Sequence, residues 1–226
     1  MTTLSSIASL QVEEEAYLIQ KITAYPQQRW KQLANRRRGE LTSKNVLVSQ
    51  PMPPFVETHP DIIDRLKSLA FTPAGSPHGK PNHIIIRPRI FSLVATISLG
   101  SHCTFHYYQY SPQSDGEVGG RSIDPTPIMT TLLEPRSVVI TKDALYSSHL
   151  HAIREIEEDT ITAGGDPKVP PVLSDLGVPI ANWDRVTGTD ALRVMSEGGV
   201  LKRTARYSLT CRDVEKVAQL KAFMKR

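Results

Sequence analysis

Between residues 83 and 211 the sequence alternates short segments rich in Val, Ile, Thr and Tyr with breaks at Gly, Pro or Ser. Segments of this length and composition are typical of β-strands. We therefore predict strands at residues 83–86, 93–99, 103–110, 130–133, 137–141, 150–156 and 205–211. Two predicted helices precede them, at residues 13–24 and 60–70. Helices followed by many short strands predict an α+β domain built on a sandwich or jelly roll.

The connections between these elements are uneven in length. Residues 111–127 and 163–199 are long and rich in Gly, Pro and Asp, so they are predicted to be loops. Connections of such length are usually functional or disordered. Residues 213–225 carry apolar side chains at helical spacing, which predicts a C-terminal helix.

The composition excludes several classes of protein. Hydrophobic residues make up 39% of the 226 residues, which is enough for a core and argues against a wholly disordered chain. No apolar run is long enough to cross a bilayer, and no secretory leader is expected from the N-terminal residues. Cys103 and Cys211 are the only cysteines, which argues against a disulfide scaffold and fits a reducing compartment.

Positive charge is concentrated in one short stretch of a mildly basic chain. The net charge is +4 and the isoelectric point is near 9.1. The basic stretch contains Arg29, Lys31, Arg36, Arg37 and Arg38. Such a cluster can follow the phosphates of a nucleic acid, and it is equally common in a solvated loop. Charge alone leaves both interpretations open.

Arg206, Ser208, Thr210 and Arg212 occupy alternate positions of the last predicted strand. Side chains alternate between the two faces of a strand, so these four share one face. One interpretation is an ordinary amphipathic strand with a solvated polar face. The other is an anion site, because arginine grips a carboxylate with a planar fork and neighbouring hydroxyls complete the shell.

The same four residues carry a resemblance to a known family. Their pattern resembles the Arg-x-Asn-x-Thr-x-Arg motif of the AlkB-like Fe(II)/2-oxoglutarate-dependent dioxygenases, with Ser208 in place of the Asn. Further blocks resemble the branch of the sixth human AlkB homologue and occur in the same order. They are residues 30–33 with Arg36 and Arg37, 81–83, 94–102, 132–138 and 150–153.

The resemblance implies a double-stranded β-helix (jelly roll) with N-terminal flanking helices. It divides the chain into a helical and loop extension with nucleotide-recognition loops, residues 1–81, and a dioxygenase-like domain, residues 82–226. It implies Fe(II) and 2-oxoglutarate as cofactors and oxidative dealkylation of alkylated nucleic acid, either DNA or RNA. A monomer of the nucleus and cytoplasm, with no membrane association, is the corresponding expectation.

The resemblance also assigns roles to single residues. His151 matches the distal metal-binding histidine, and His149, which has the same parity on the predicted strand, is its rival. Arg206 matches the residue that grips the distal carboxylate of 2-oxoglutarate, while Ser208, Thr210 and Arg212 belong to the same motif. Nucleic-acid contacts are implied for Trp30, Arg36, Arg37 and Arg38.

One part of the family pattern is missing. The family places Asn-x-Tyr and then His-x-Asp, which supplies two of its three metal ligands, between the strands at His83 and Val94. No His, Asp or Glu occurs from Ile84 to Gly100, so this signature is absent. The letters His59-Pro-Asp61 precede the predicted strands, and we reject them as a metal pair. Catalysis by this chain is therefore expected to be impaired.

Three interpretations follow from the missing signature. The chain derives from an active dioxygenase that has lost one contiguous segment, which the intact motifs on both sides favour. Alternatively, it is a catalytically inactive AlkB-like homologue that acts as a nucleic-acid-binding protein. An unrelated sandwich-type binding module is the third interpretation, and the ordered blocks argue against it.

Overall fold

A computed structural model describes residues 3–6, 10–24, 47–48, 53–69, 83–85, 93–111, 122–163, 172–212 and 217–218. Its helices are α1 (Val12–Ala24), α2 (Pro54–Glu57), α3 (Ile62–Leu69), α4 (Ala144–Ser147) and α5 (Thr189–Glu197), with a 3-10 turn at Trp183–Arg185. Its strands are β1 (Thr3–Ser6), β2 (Leu47–Val48), β3 (His83–Ile85), β4 (Leu93–Leu99), β5 (Cys103–Tyr108), β6 (Met129–Leu133), β7 (Ser137–Lys142), β8 (Leu150–Ala152), β9 (Glu158–Thr162), β10 (Leu173–Ser174), β11 (Gly199–Lys202), β12 (Tyr207–Arg212) and β13 (Val217–Ala218).

The largest sheet has the strand order β1-β7-β4-β12-β3, and its neighbouring strands run antiparallel. One of its faces is covered by the N-terminal helices. Ala95, Ile97 and Leu99 of β4 and Leu209 and Cys211 of β12 are buried on this face, as the strand period of two requires. The helices contribute Leu18, Phe55, Val56, Ile62 and Leu66 to the same buried cluster.

A smaller sheet, with the order β6-β5-β8, covers the opposite face of the large sheet. Phe105 and Tyr107 of β5 are buried in one cluster with Val139 of β7. The hydroxyl oxygens of Tyr107 and Thr141 lie 2.6 Å apart, and both residues are buried. Val139 and Thr141 alternate along β7 with Ile140, which packs on the helices, so the small sheet lies on the other side.

A third layer packs on the outer face of the small sheet. It consists of the sheet β10-β9-β11 and of α5, and its core joins Leu132 of β6 to Ile161, Val194 and Leu201. The Asn182 side chain accepts a hydrogen bond from the Leu132 amide and donates one to the Leu132 carbonyl, both at 2.8 Å. Asn182 therefore satisfies backbone groups of β6 on the edge that faces away from β5.

Helix α1 is tied to the strand connections through the buried Glu15. Its carboxylate accepts hydrogen bonds from the Gly100 amide at 2.8 Å and from Arg136 Nη1 at 2.7 Å. Gly100 turns the chain from β4 to β5 with φ +82°, and a Cβ there would lie 2.4 Å from the Ala205 carbonyl oxygen. Only glycine fits this turn, because it has no Cβ and tolerates positive φ.

The α+β class predicted from the sequence is confirmed, and β4, β5, β6 and β7 begin and end within two residues of their predicted bounds. Three local predictions are wrong. Of the strand predicted at residues 150–156, only Leu150–Ala152 is a strand, and the next strand begins at Glu158. The segment 163–199 is not only a loop, since α5 lies within it. Within the predicted C-terminal helix, Val217–Ala218 is instead a strand that pairs in parallel with Leu47–Val48. In the described part of the chain, no helix combines the length and apolarity needed to cross a membrane.

Candidate active site between the two larger sheets

β12 presents a polar face towards the small sheet. Ser208, Thr210 and Arg212 lie on this face, because they alternate with the residues that pack on the helices. In the adjoining strand, Ser98 pairs with Ser208 and Thr96 pairs with Thr210. The hydroxyl oxygens of Thr96 and Thr210 lie 3.5 Å apart. The space between the two sheets is therefore lined by hydroxyl groups on the side of the large sheet.

Arg206 immediately precedes β12 and reaches the same face. Its Nε donates a hydrogen bond to the Ser98 hydroxyl at 2.8 Å, and the residue is half-buried. Its Nη2 is buried and makes no hydrogen bond to any residue that the structure describes. A buried cationic donor without an acceptor is costly, so this atom is suited to a carboxylate or phosphate oxygen of a ligand.

Arg212 lies at the other end of the polar face. It is fully buried, and its Cζ is 5.7 Å from the centre of the Tyr146 ring, which belongs to α4. Burial lowers the pKa of Arg212, and Tyr146 acts in the opposite sense. The guanidinium nevertheless stays charged at neutral pH. Six residues of strand correspond to about 20 Å, so Arg206 and Arg212 serve different ends of the space.

His151 lies on β8, directly opposite Tyr107 in the ladder with β5. Its ring stacks on Phe105, with centroids 5.1 Å apart and an interplanar angle of 22°. The residue is solvent-exposed, yet burial among the surrounding protein lowers the pKa of its imidazole, and Arg212 lowers it further. The lowered pKa favours the neutral imidazole, which is the form that binds metal ions.

His149, the rival of His151, takes a different place. It precedes β8, and its Nδ1 lies 2.9 Å from the Ala144 carbonyl oxygen, so it belongs to the turn after α4. His59 and Asp61 lie between α2 and α3, on the helical side of the large sheet, where the His59 ring contacts Tyr17. The large sheet therefore separates His59 and Asp61 from the region between the two sheets.

Comparison with known proteins finds similarity at the level of sequence. No model of a protein family matches the chain. The chain is 27% identical over 229 residues to the "Probable RNA/DNA demethylase ALKBH6" of Danio rerio, and the alignment covers 93% of this chain and 85% of that protein. The chain is similar to a protein of the AlkB-like family. The resemblance seen in the sequence blocks is thereby confirmed at the level of the family.

The part of the AlkB-like chain that the structure describes does not contain a complete metal site. Within the described ranges, no group of three or more His, Cys, Asp or Glu side chains could hold a metal ion. An Fe(II) facial triad requires two histidines and a carboxylate, so the described residues do not fit the metal. They do fit a carboxylate-bearing ligand, because Arg206 offers an open buried donor beside a row of hydroxyls.

The residues predicted to contact nucleic acid lie outside the described part of the chain. They are Trp30, Arg36, Arg37 and Arg38.

Sequence reasoning missed the buried ion pair of Asp159 and Arg203. Asp159 ends an acidic stretch that begins at Glu155, and such a stretch normally indicates a solvated surface. The available signal was Ile161, since the strand period of two puts Asp159 on the same buried face.

Proposed function

We propose that this AlkB-like chain derives from an Fe(II)/2-oxoglutarate-dependent dioxygenase that oxidatively dealkylates nucleic acid. In this proposal, the chain itself lacks the segment that carries two of the three metal ligands. The observation that carries the proposal is the polar face of β12, with Arg206 at one end and, at the other, Arg212, whose charge lowers the pKa of His151. The similar Danio rerio protein is named as an RNA/DNA demethylase, which supports nucleic acid as the substrate class.

Arg206 is the residue proposed to hold the distal carboxylate of 2-oxoglutarate. Its Nε is fixed by Ser98, which aims the guanidinium, while the buried Nη2 is open to an acceptor. Charge-assisted hydrogen bonds of this kind are about twice as strong as neutral ones. Ser208 and Thr210 offer neighbouring hydroxyls. The described residues lack the ligands for Fe(II), so this chain is not expected to decarboxylate 2-oxoglutarate.

The sheet topology supports the loss of a segment. β3 and β4 lie on either side of β12 and are both antiparallel to it, so they run parallel to each other. Only seven residues, 86–92, separate them in the sequence. A connection between parallel strands usually needs about a dozen residues or more. A segment lost at this point accounts for the short connection and for the absent His-x-Asp signature.

The order of the strands supports the proposed double-stranded β-helix. Along the chain, β4 belongs to the large sheet, β5 and β6 to the small one, β7 to the large one and β8 to the small one, and β12 returns to the large sheet. A jelly roll alternates between two facing sheets in this manner. The small sheet has three strands in the described part, which matches a jelly roll that is one strand short.

The proposal is tested by comparing this chain with a longer form read from the same locus. If the genomic sequence between the codons for Ile86 and Val94 supplies Asn-x-Tyr and His-x-Asp, the longer protein should bind one Mn(II) as a surrogate for Fe(II). Supplied with Fe(II) and O2, it should convert 2-oxoglutarate to succinate and CO2. This chain should do neither. Succinate formation by this chain would overturn the proposed loss, and a locus that joins the two codons directly would favour the inactive homologue.

The missing metal signature favours a second candidate, an inactive AlkB-like protein that binds nucleic acid. The basic stretch remains in the sequence although the metal ligands do not. Binding of single-stranded RNA or DNA should then weaken steeply with salt, because phosphate contacts release counterions. Replacing Arg36, Arg37 and Arg38 with Ala should reduce affinity for all sequences, whereas Arg193→Ala on the exposed face of α5 should not. Equal affinities would assign the basic stretch to a solvated loop.

A further inference from the structure

β8 is a short strand with an important residue on it. It has three residues, and His151 is the central one. β5 pairs with one edge of β8, and among the described strands none pairs with the other edge. So few ladder pairs fix a strand poorly, since isolated two-stranded pairings are marginal in water. The position of His151 therefore depends on what holds the chain where it leaves β8.

Arg203 binds the backbone that follows β8. Arg203 Nη1 donates to the carbonyl oxygen of Arg154, three residues after His151, at 2.6 Å. Its Nε and Nη2 donate to the two oxygens of Asp159 at 2.8 and 2.6 Å. Its Nη2 also donates to the Thr104 hydroxyl of β5 at 3.2 Å. One guanidinium thus joins the exit of β8 to β9 and to β5.

The interaction of Arg203 with Asp159 is rigid because both charges are buried and paired with each other. The side chain of Asp159 is fully buried and that of Arg203 is 11% exposed. Burial alone would raise the pKa of Asp159, but the hydrogen bonds from Arg203, His102 and Thr104 hold it well below its usual range. Burial likewise opposes the charge on Arg203, and Asp159 outweighs it and raises the pKa of Arg203. Both groups therefore remain ionised and paired at neutral pH.

We propose that Arg203 is a positioning residue for His151. Its three donor nitrogens connect the backbone at Arg154 to Asp159 and Thr104. These bonds fix the position of β8 relative to β5, and therefore the position of the His151 ring relative to Phe105. Lysine keeps the charge but cannot bond all three partners at once, because it lacks the planar fork. The inference rests on the proposed function only in giving His151 a role as a ligand.

The test is Arg203→Lys in the chain as it stands, read by NMR at a fixed pH at which histidine is neutral. Hydrogen exchange of the amides in the β5–β8 ladder should speed up at least about tenfold, as expected for the loss of a charged hydrogen bond. Amides of β4 and β7 should exchange as before. The His151 ring protons should also lose part of the ring-current shift that stacking on Phe105 gives them.

Arg65→Lys is the matched control. Arg65 also holds a carboxylate with two nitrogens, at 2.9 and 2.6 Å from Glu14, but it lies on the helical side of the large sheet. The Arg65→Lys variant should leave amide exchange in the β5–β8 ladder and the His151 resonances unchanged. Faster exchange spread evenly over all sheets in Arg203→Lys would reduce Arg203 to a general stabiliser and overturn the proposal. Unchanged exchange and unchanged His151 resonances would overturn it as well.

Thr104→Val provides a milder variant if Arg203→Lys does not fold. It removes the hydroxyl that donates to Asp159 at 2.6 Å and leaves the guanidinium in place. The expected effect is a smaller acceleration of exchange with the same confinement to the β5–β8 ladder, and its absence would reject the proposal. Failure of a longer form to make succinate would overturn the proposed function without altering these exchange rates.

Discussion

Arg203 and Arg206 are three residues apart in sequence, but their side chains lie in different surroundings and have different hydrogen-bond partners. Arg203 lies on the outer side of the small sheet, where its Nε, Nη1 and Nη2 all donate to groups of the protein. Arg206 lies on the side between the sheets, where Nε is bonded to Ser98 and Nη2 is buried without a hydrogen bond to the described residues. An arginine whose donors are all bonded within the protein stabilises the fold, whereas an arginine with an open buried donor is a candidate for binding a ligand.

The difference arises from what the neighbouring strands supply. β9 alternates so that Asp159 and Ile161 point inwards, which gives Arg203 a buried carboxylate. The polar face around Arg206 offers hydroxyls from Ser98 and Ser208, which cannot neutralise a charge. None of the described residues supplies a carboxylate to the half-buried Arg206, so we expect an anion from outside the protein to pair with it.

The largest expected effect follows from removing the carboxylate that pairs with Arg203. Asp159→Ala leaves Arg203 charged and unpaired in the interior, which should lower the free energy of unfolding by about 3–5 kcal/mol. Urea denaturation measures this loss. Asp190→Ala is the control, because its side chain is 87% exposed and should change stability by less than about 0.5 kcal/mol. A loss below about 1 kcal/mol in Asp159→Ala would mean that Arg203 is solvated, and the contrast between the two arginines would fail.

Acid should weaken the ion pair between Asp159 and Arg203. The folded-state pKa of Asp159 lies below its unfolded value, near 4, so its contribution is present above that pH and is lost as pH falls towards the folded-state pKa. Glu14, whose pKa Arg65 lowers to about 2, acts with the same sign. Urea midpoints measured from pH 6 down to pH 2 should fall more steeply in the wild-type chain than in Asp159→Ala. Parallel curves would contradict this assignment.

The local fold was readable where packing follows strand periodicity. β4 and β12 show it: their alternate residues face the helices or the polar space, as the sequence pattern of Arg206 to Arg212 predicts. The third layer was not readable, because Ala191, Val194 and Met195 lie in a stretch dominated by Gly, Pro and Asp. Tertiary burial against Leu132 and Ile161, rather than local propensity, stabilises that helix.

The candidate site was readable only in part for a similar reason. Parity placed Ser208, Thr210 and Arg212 on one face, but it could not choose between His149 and His151, which differ by two residues. The difference between them depends on where β8 begins, because His149 lies before the strand and contacts the Ala144 carbonyl oxygen, whereas His151 lies within it. The partners of Arg203 come from three separate strands or connections, and no spacing in the sequence brings them together.

Arg206→Ala should separate binding from stability. Loss of one hydrogen bond to Ser98 is offset by removal of a buried open donor, so the free energy of unfolding should change within about 1 kcal/mol. Titration with 2-oxoglutarate, followed by NMR, should show weak binding in the wild-type chain and none in Arg206→Ala. Arg193→Ala, at an exposed position of α5, should bind like the wild type. Equal binding in Arg206→Ala would remove Arg206 from the site.

The smallest effect is expected at Ser98, whose hydroxyl aims Arg206. Ser98→Ala frees Nε while leaving the guanidinium charged, so the ligand should still bind, with affinity reduced several-fold and stability lowered by less than about 1 kcal/mol. Ser208→Ala is the matched variant, since Ser208 pairs with Ser98 on the same polar face and is not bonded to Arg206 in the structure. If the orientation of Arg206 matters, Ser98→Ala should weaken the binding of 2-oxoglutarate more than Ser208→Ala does. The opposite order would mean that the hydroxyl row binds the ligand directly, and the open donor of Arg206 would then be a consequence of packing rather than a mark of the site.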